Sequence, residues 1–243
     1  MSESAFWTFA RRPVALALAG VVGLTAFNQL WGSRLEAAAP LSLVSLSGRA
    51  VAVDGDTLDL DGKRVRLEGI DAPEMGQTCG RRWIGTWNCG RAAQKALNGL
   101  VDGRRIECQS KGQDKYGREL GICFVDGRDI NAELVRQGMA WAFVKFSQSY
   151  VGQEAAARKD KTGIWQGTAE APWTFREQKW QTAETTAPKG CAIKGNITAN
   201  GRIYHVPWGD WYSKVKVEPN KGERWFCTEA EAAEAGWRPA ISH

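Results

Sequence analysis

Histidine is scarce in this chain of 243 residues: there are two, His205 and His243, both near the C-terminus. The polar motifs described below lie well before them, so histidine general acid–base chemistry has no candidate among those motifs. None of the six cysteines shows the Cys-x2-Cys spacing that marks a zinc site. Long hydrophobic runs are missing too. The most apolar stretch, Pro13 to Phe27, is interrupted by Asn28 and Gln29 and falls short of the roughly 18 apolar residues of a clean membrane span. What remains is a globular composition, 43% hydrophobic and 24% charged, with enough length for one or two domains. The formal net charge of +5 favours anionic partners. Twelve tryptophans read as core and surface anchors, because the ring buries a large area wherever one end can stay wet.

The N-terminus has the layout of a targeting segment: Arg11-Arg12, the apolar stretch, then Ala37-Ala38-Ala39. Residues 1–40 are expected to be a signal peptide. An uncleaved membrane anchor is the alternative, because reading on to Trp31 reaches spanning length and Pro40 follows the best small-residue cleavage site. Either way the chain is expected to be exported, to a periplasm, cell envelope or medium. An even cysteine count in an exported chain implies disulfides. Neighbourhood pairs Cys79 with Cys89 around one loop, Cys108 with Cys123 on consecutive strands, and Cys191 with Cys227 in a C-terminal segment.

From Leu43 the sequence alternates as strands do. Arg49 to Val53, Thr57 to Leu60 and Arg64 to Leu67 are separated by Asp54-Gly55 and Asp61-Gly62, and Asp-Gly between alternating runs is a strong hairpin signal. A loop from Asp71 to Asn88 leads into a helix from Gly90. Two strands, Arg105 to Cys108 and Glu119 to Val125, flank the Asp114 to Arg118 turn. Helices are expected from Ile130 to Gln137, with Gly138 as its C-cap, and near Gln153 to Lys161. The fold class is α+β: a five-stranded barrel of the oligonucleotide-binding (OB) type with packed helices, plus a small disulfide-stapled C-terminal domain.

Within that frame stand Asp54-Gly55-Asp56-Thr57, Arg66, Asp71-Ala72-Pro73-Glu74 and Asp114-Lys115-Tyr116-Gly117-Arg118. Carboxylate oxygens suit hard cations, and a guanidinium grips two phosphate oxygens at once. Any one of these motifs alone is more often a turn or a helix entry; the ordered set points to phosphodiester chemistry. Together with Leu134 to Gly138 and Gly163-Ile164-Trp165, the series resembles the thermonuclease family, whose type member is staphylococcal nuclease, over residues 47 to 166. The resemblance implies a Ca2+-dependent endonuclease acting on single-stranded or duplex DNA and RNA and leaving 3′-phosphate ends. It implies Asp56, Asp71, the Ala72 carbonyl and Glu74 at the metal, Glu74 orienting or activating water, Arg66 and Arg118 at the scissile phosphate, and Lys115 and Tyr116 at another phosphate. Loss of either arginine is expected to leave the fold intact. Ala72 stands where the type member has threonine. Trp141, Phe143 and Phe146 are kept aromatic without its nucleotide-stacking tyrosines. The loop from Cys79 to Cys89, with Arg81, Arg82, Trp83 and Trp87, is an insertion suited either to single-stranded nucleic acid or to service as a stapled lid.

The nuclease-like domain is expected to cover residues 43–168, followed by a polar linker or frayed helix over 169–188 and an accessory domain over 189–243. The last is similar to the small sunset domain. Thr228 and Glu231 suggest a capping box there, and His205 reads as structural. A monomer is expected. The alternative classes are a nucleic-acid-binding OB module without turnover and an envelope-associated scaffold; the intact acidic and arginine set favours the enzyme.

Overall fold

Period-two alternation in the sequence becomes strands with one buried and one open face. The computed structural model describes residues 45–240, so the N-terminal leader or anchor lies outside the described residues. Strand β1 (Ser45–Ala52) turns Ala50 and Ala52 inward and Arg49 and Val51 outward. It pairs antiparallel with β2 (Thr57–Leu60), which pairs with β3 (Lys63–Leu67). Asp61 and Gly62 connect those two with φ of 47° and 85°, the handedness that matches strand twist in a two-residue hairpin. Strand β4 (Ile70–Asp71) follows, then the hairpin of β5 (Thr78–Gly80) and β6 (Thr86–Asn88), and helix α1 (Cys89–Val101). Strands β7 (Arg105–Gln113), β8 (Glu119–Val125) and β9 (Arg128–Asp129) lead into α2 (Ile130–Arg136), β10 (Trp141–Ala142) and α3 (Val151–Asp160).

The sheet runs β3-β2-β1-β7-β8-β9, and β8 also pairs in parallel with β3 from Val65↔Glu119 to Leu67↔Gly121. That last pairing closes β1, β2, β3, β7 and β8 into the expected five-stranded barrel and leaves those strands no open edge. Leu58, Val65, Leu67, Ile106 and Leu134 fill it with Leu97 and Val101 from α1, all effectively inaccessible to solvent. The three disulfides are those expected: Cys79–Cys89, Cys108–Cys123 and Cys191–Cys227. Cys108 and Cys123 stand directly opposite each other on β7 and β8.

The stretch expected as a linker or frayed helix holds a 13-residue helix, α4 (Pro172–Glu184), begun by proline in its first turn. Its polar composition suggested exposure, but its aromatics are anchored at both ends. Trp173 stacks on Phe143 with centroids 5.5 Å apart and meets Trp141 edge-on at 6.4 Å, while Trp180 lies 6.1 Å from Trp208. Beyond it, β11 (Ile193–Thr198), β12 (Gly201–His205), β13 (Arg224–Phe226), helix α5 (Glu229–Glu234) and β14 (Arg238–Pro239) build a sheet in the order β13-β11-β12-β14. Ile193, Tyr204, Phe226, Ala232 and Trp237 form its core, against which Trp180 of α4 also packs. Thr228 accepts the Glu231 N–H, and the Glu231 carboxylate takes the N–H of Cys227 rather than that of Thr228, so the capping box is displaced by one residue. Barrel, α4 and C-terminal sheet belong to one compact unit.

Helix α1 is capped by Asn88, whose side chain accepts the Arg91 N–H at 2.8 Å. Its first turn runs so close to the segment after β4 that a Cβ on Gly90 would stand 1.8 Å from the Glu74 carbonyl oxygen. Gly90→Ala is therefore expected to destabilise the protein by at least about 1–3 kcal/mol. Gly99→Ala, on the exposed side of the same helix where a Cβ meets nothing within 4 Å, is expected to stabilise it by up to about 1 kcal/mol. Urea denaturation of the two variants gives both signs in one experiment.

Candidate active site

Register places Arg66 of β3 opposite Thr57 of β2, beside the turn that carries Asp56. Gly55 in that turn does not need a left-handed backbone. It is needed for space, since a Cβ would come within 2.6 Å of the Ala72 side chain and 2.8 Å of that of Ala93 on α1. The close approach lets the Asp56 carboxylate accept the Ala72 N–H at 2.9 Å and so ties the turn to the end of β4. Arg66 then bridges two acids, donating from Nη1 to Asp56 and from Nη2 to Asp71 Oδ1 at 2.9 Å. Asp56 and Asp71 are 4% and 0% exposed. Although burial disfavours its charge, Arg66 is held firmly protonated by these two acids.

Glu74 sits on a turn closed by Gln77, which donates its N–H to the Glu74 carbonyl at 2.7 Å and accepts the Glu74 N–H on its side chain at 3.1 Å. Gln77 is itself buried and donates to the Glu170 carbonyl at 2.6 Å, locking the turn to the approach to α4. Burial pushes the Glu74 carboxyl up to about 8 against the pull of Arg176. Asp54 is pushed up to about 6 by burial and by neighbouring Asp56.

The turn between β7 and β8 is organised by Asp114, whose Oδ1 accepts the N–H groups of Tyr116 and Arg118 at 2.9 and 3.0 Å. Its Oδ2 receives Arg118 Nε at 2.8 Å. Tyr116 stacks under both cations, with Lys115 4.9 Å and Arg118 5.4 Å from the ring centroid. The Arg118 charge reaches Asp54 and so links this turn to the first cluster. Asp56, Arg66, Asp71, Ala72 and Glu74 are thus brought together, with Lys115, Tyr116 and Arg118 on the adjoining turn. The insertion forms the hairpin β5–β6, its tip presenting Trp83 and Ile84 at 85% and 88% exposure with Arg82 over the Trp83 ring.

Two participants were not found from the sequence. Arg176 of α4 donates from Nη1 and Nη2 to Asp71 at 3.1 and 2.7 Å and from Nη1 to Glu74 at 2.6 Å. Glu229, in the first turn of α5, accepts the Tyr204 hydroxyl at 3.1 Å, and burial pushes its carboxyl up against the pull of Tyr204, Arg118 and Lys115. Each belongs to a segment read as linker or accessory domain, and no local motif marks either.

Residues 64–167 match a family model described as staphylococcal nuclease homologue. A micrococcal nuclease of Shigella flexneri is 32% identical over 179 residues, which cover 63% of this chain and 94% of that protein. A protein called ParB from Escherichia coli is 33% identical over 171 residues, 59% of this chain and 91% of its own length. The succinoglycan biosynthesis protein ExoI of Rhizobium meliloti (strain 1021) is 34% identical over 126 residues, 51% of this chain and 66% of its own.

The two arginines differ in what they hold. Arg66→Ala leaves two buried carboxylates without their shared cation and is expected to destabilise the fold by about 3–5 kcal/mol, where the sequence alone suggested that the fold would stay intact. Arg118→Ala removes a partly exposed pair with Asp114 and is expected to change stability by about 1 kcal/mol or less. Parallel urea titrations check the contrast, and equal losses would remove the structural role assigned to Arg66.

Proposed function

Because the chain belongs to the staphylococcal nuclease family, we propose that it is a Ca2+-dependent endonuclease that hydrolyses phosphodiester bonds of DNA and RNA and leaves 3′-phosphate ends. The observation that carries this reading is Arg66 joined to Asp56 and Asp71, with Asp56 tied to Ala72 at the end of β4, two residues before Glu74. Residues from three separate segments meet there.

The donor set is made of hard oxygens, which suits Ca2+. Among the described residues no three acidic, histidine or cysteine side chains converge as a ligand cluster, because guanidinium groups stand between the carboxylates. Asp56 and Asp71, with the Ala72 carbonyl, would hold one cation, and Glu74 stands beside them. A bound Ca2+ would supply charge neutralisation at the reacting phosphate. Glu74 orients the attacking water and accepts its proton. Arg66 and Arg118 each offer planar N–H donors to the phosphate oxygens as charge builds on them. Lys115 and Tyr116 hold a neighbouring phosphate of the same strand. Three disulfides fit an oxidising compartment, in keeping with an exported enzyme.

Cleavage of a single-stranded DNA oligonucleotide tests this reading. Cutting is expected with Ca2+, to stop with chelator, and to slow by about 10²–10³-fold in Arg118→Ala, the usual effect of losing one preorganised donor to a developing oxyanion. Binding without cleavage under every divalent cation tried would overturn the enzyme in favour of a nucleic-acid-binding module.

A further inference from the structure

One side chain beyond the matched family segment meets the proposed catalytic surface with a charge opposite to that of its residues. Arg176 takes both oxygens of Asp71 and one of Glu74 with one guanidinium. Asp71 is fully buried, and guanidinium groups occupy both its oxygens, Arg66 and Arg176 on Oδ1 and Arg176 on Oδ2. A guanidinium thus lies where a cation would be held.

The guanidinium is fixed in place by the contacts of its helix. Arg176 rides on α4, seated by Trp173 against Phe143 and Trp141 at one end and by Trp180 against Trp208 at the other. A further contact holds the C-terminal segment beside the Glu74 turn: Arg91 of α1 pairs with Asp210 at 2.8 Å, and Asp210 Oδ1 also lies close over Gly76.

We propose that the segment after residue 167 is an intrasteric plug, in which Arg176 competes with the divalent cation. The proposal rests on the nuclease function stated above. The chain as it stands is the closed form, and its binding-competent form requires Arg176 to withdraw from Asp71. Apparent affinity for the cation is lowered by the fraction of molecules that are closed, so removing the Arg176 side chain tightens cation binding.

The test uses the full chain with Arg176→Gln and Arg176→Lys, each checked by thermal denaturation for folding. Isothermal titration with Ca2+ is expected to show binding about tenfold tighter in Arg176→Gln, within the usual range of coupling between competing sites, and severalfold tighter in Arg176→Lys, which keeps the charge without the planar fork. Unchanged or weaker Ca2+ affinity in a folded Arg176→Gln protein would overturn the plug and make Arg176 a positioning residue for Glu74. Should the wild type and Arg176→Gln alike bind no Ca2+ and cut no DNA, the nuclease reading falls and the plug with it. Equal Ca2+ binding in a protein that cuts removes the plug alone. If Arg176→Gln fails to fold, Arg176→Lys decides: Ca2+ affinity no tighter than in the wild type overturns the proposal.

Discussion

A single guanidinium between two buried carboxylates is the constraint on which the rest of this molecule depends. Arg66 belongs to β3, Asp56 to the turn before β2 and Asp71 to β4, so one side chain joins three consecutive pieces of the barrel. Two anions so deeply buried are tolerable only with a paired cation and hydrogen bonds; here the Ala72 N–H and Thr57 hydroxyl complete the set around Asp56. The same arrangement concentrates negative and positive charge at one place in the molecule. The residues proposed for catalysis are thus also ones that hold the fold together, and the barrel around them has little freedom to drift.

Much of the barrel is legible because strand alternation and turn chemistry are local. Asp61-Gly62 adopts the positive φ values of a tight hairpin, as its sequence suggests. Asp54-Gly55 carries the same letters for a different reason: its glycine makes room for Ala72 and Ala93, neighbours that no local rule reveals. The site residues were legible as an ordered series, each in a motif short enough to name. Their mutual distances were not, because they depend on how β4 and α1 close over the turn.

Arg176 and Glu229 were hidden by the same locality. Arg176 reaches carboxylates 105 and 102 positions away in the chain, and α4 has almost no apolar stripe, its anchorage coming from Trp173 and Trp180 at opposite ends. Glu229 in the first turn of α5 looks like an ordinary acid at a helix start. Among the tryptophans, read as anchors in general, Trp173 and Trp180 fasten α4 through Trp141, Phe143 and Trp208.

The bond between Cys79 and Cys89 gains significance from its position. It fixes the start of α1, and α1 begins against the backbone of Glu74, with Gly90 pressed on the Glu74 carbonyl and donating its N–H toward Gln77. The carboxylate proposed to orient water is thus braced by a covalent link that forms only where thiols are oxidised. A chain whose Cys79 and Cys89 stay reduced carries the same residues on a slacker brace beneath Glu74.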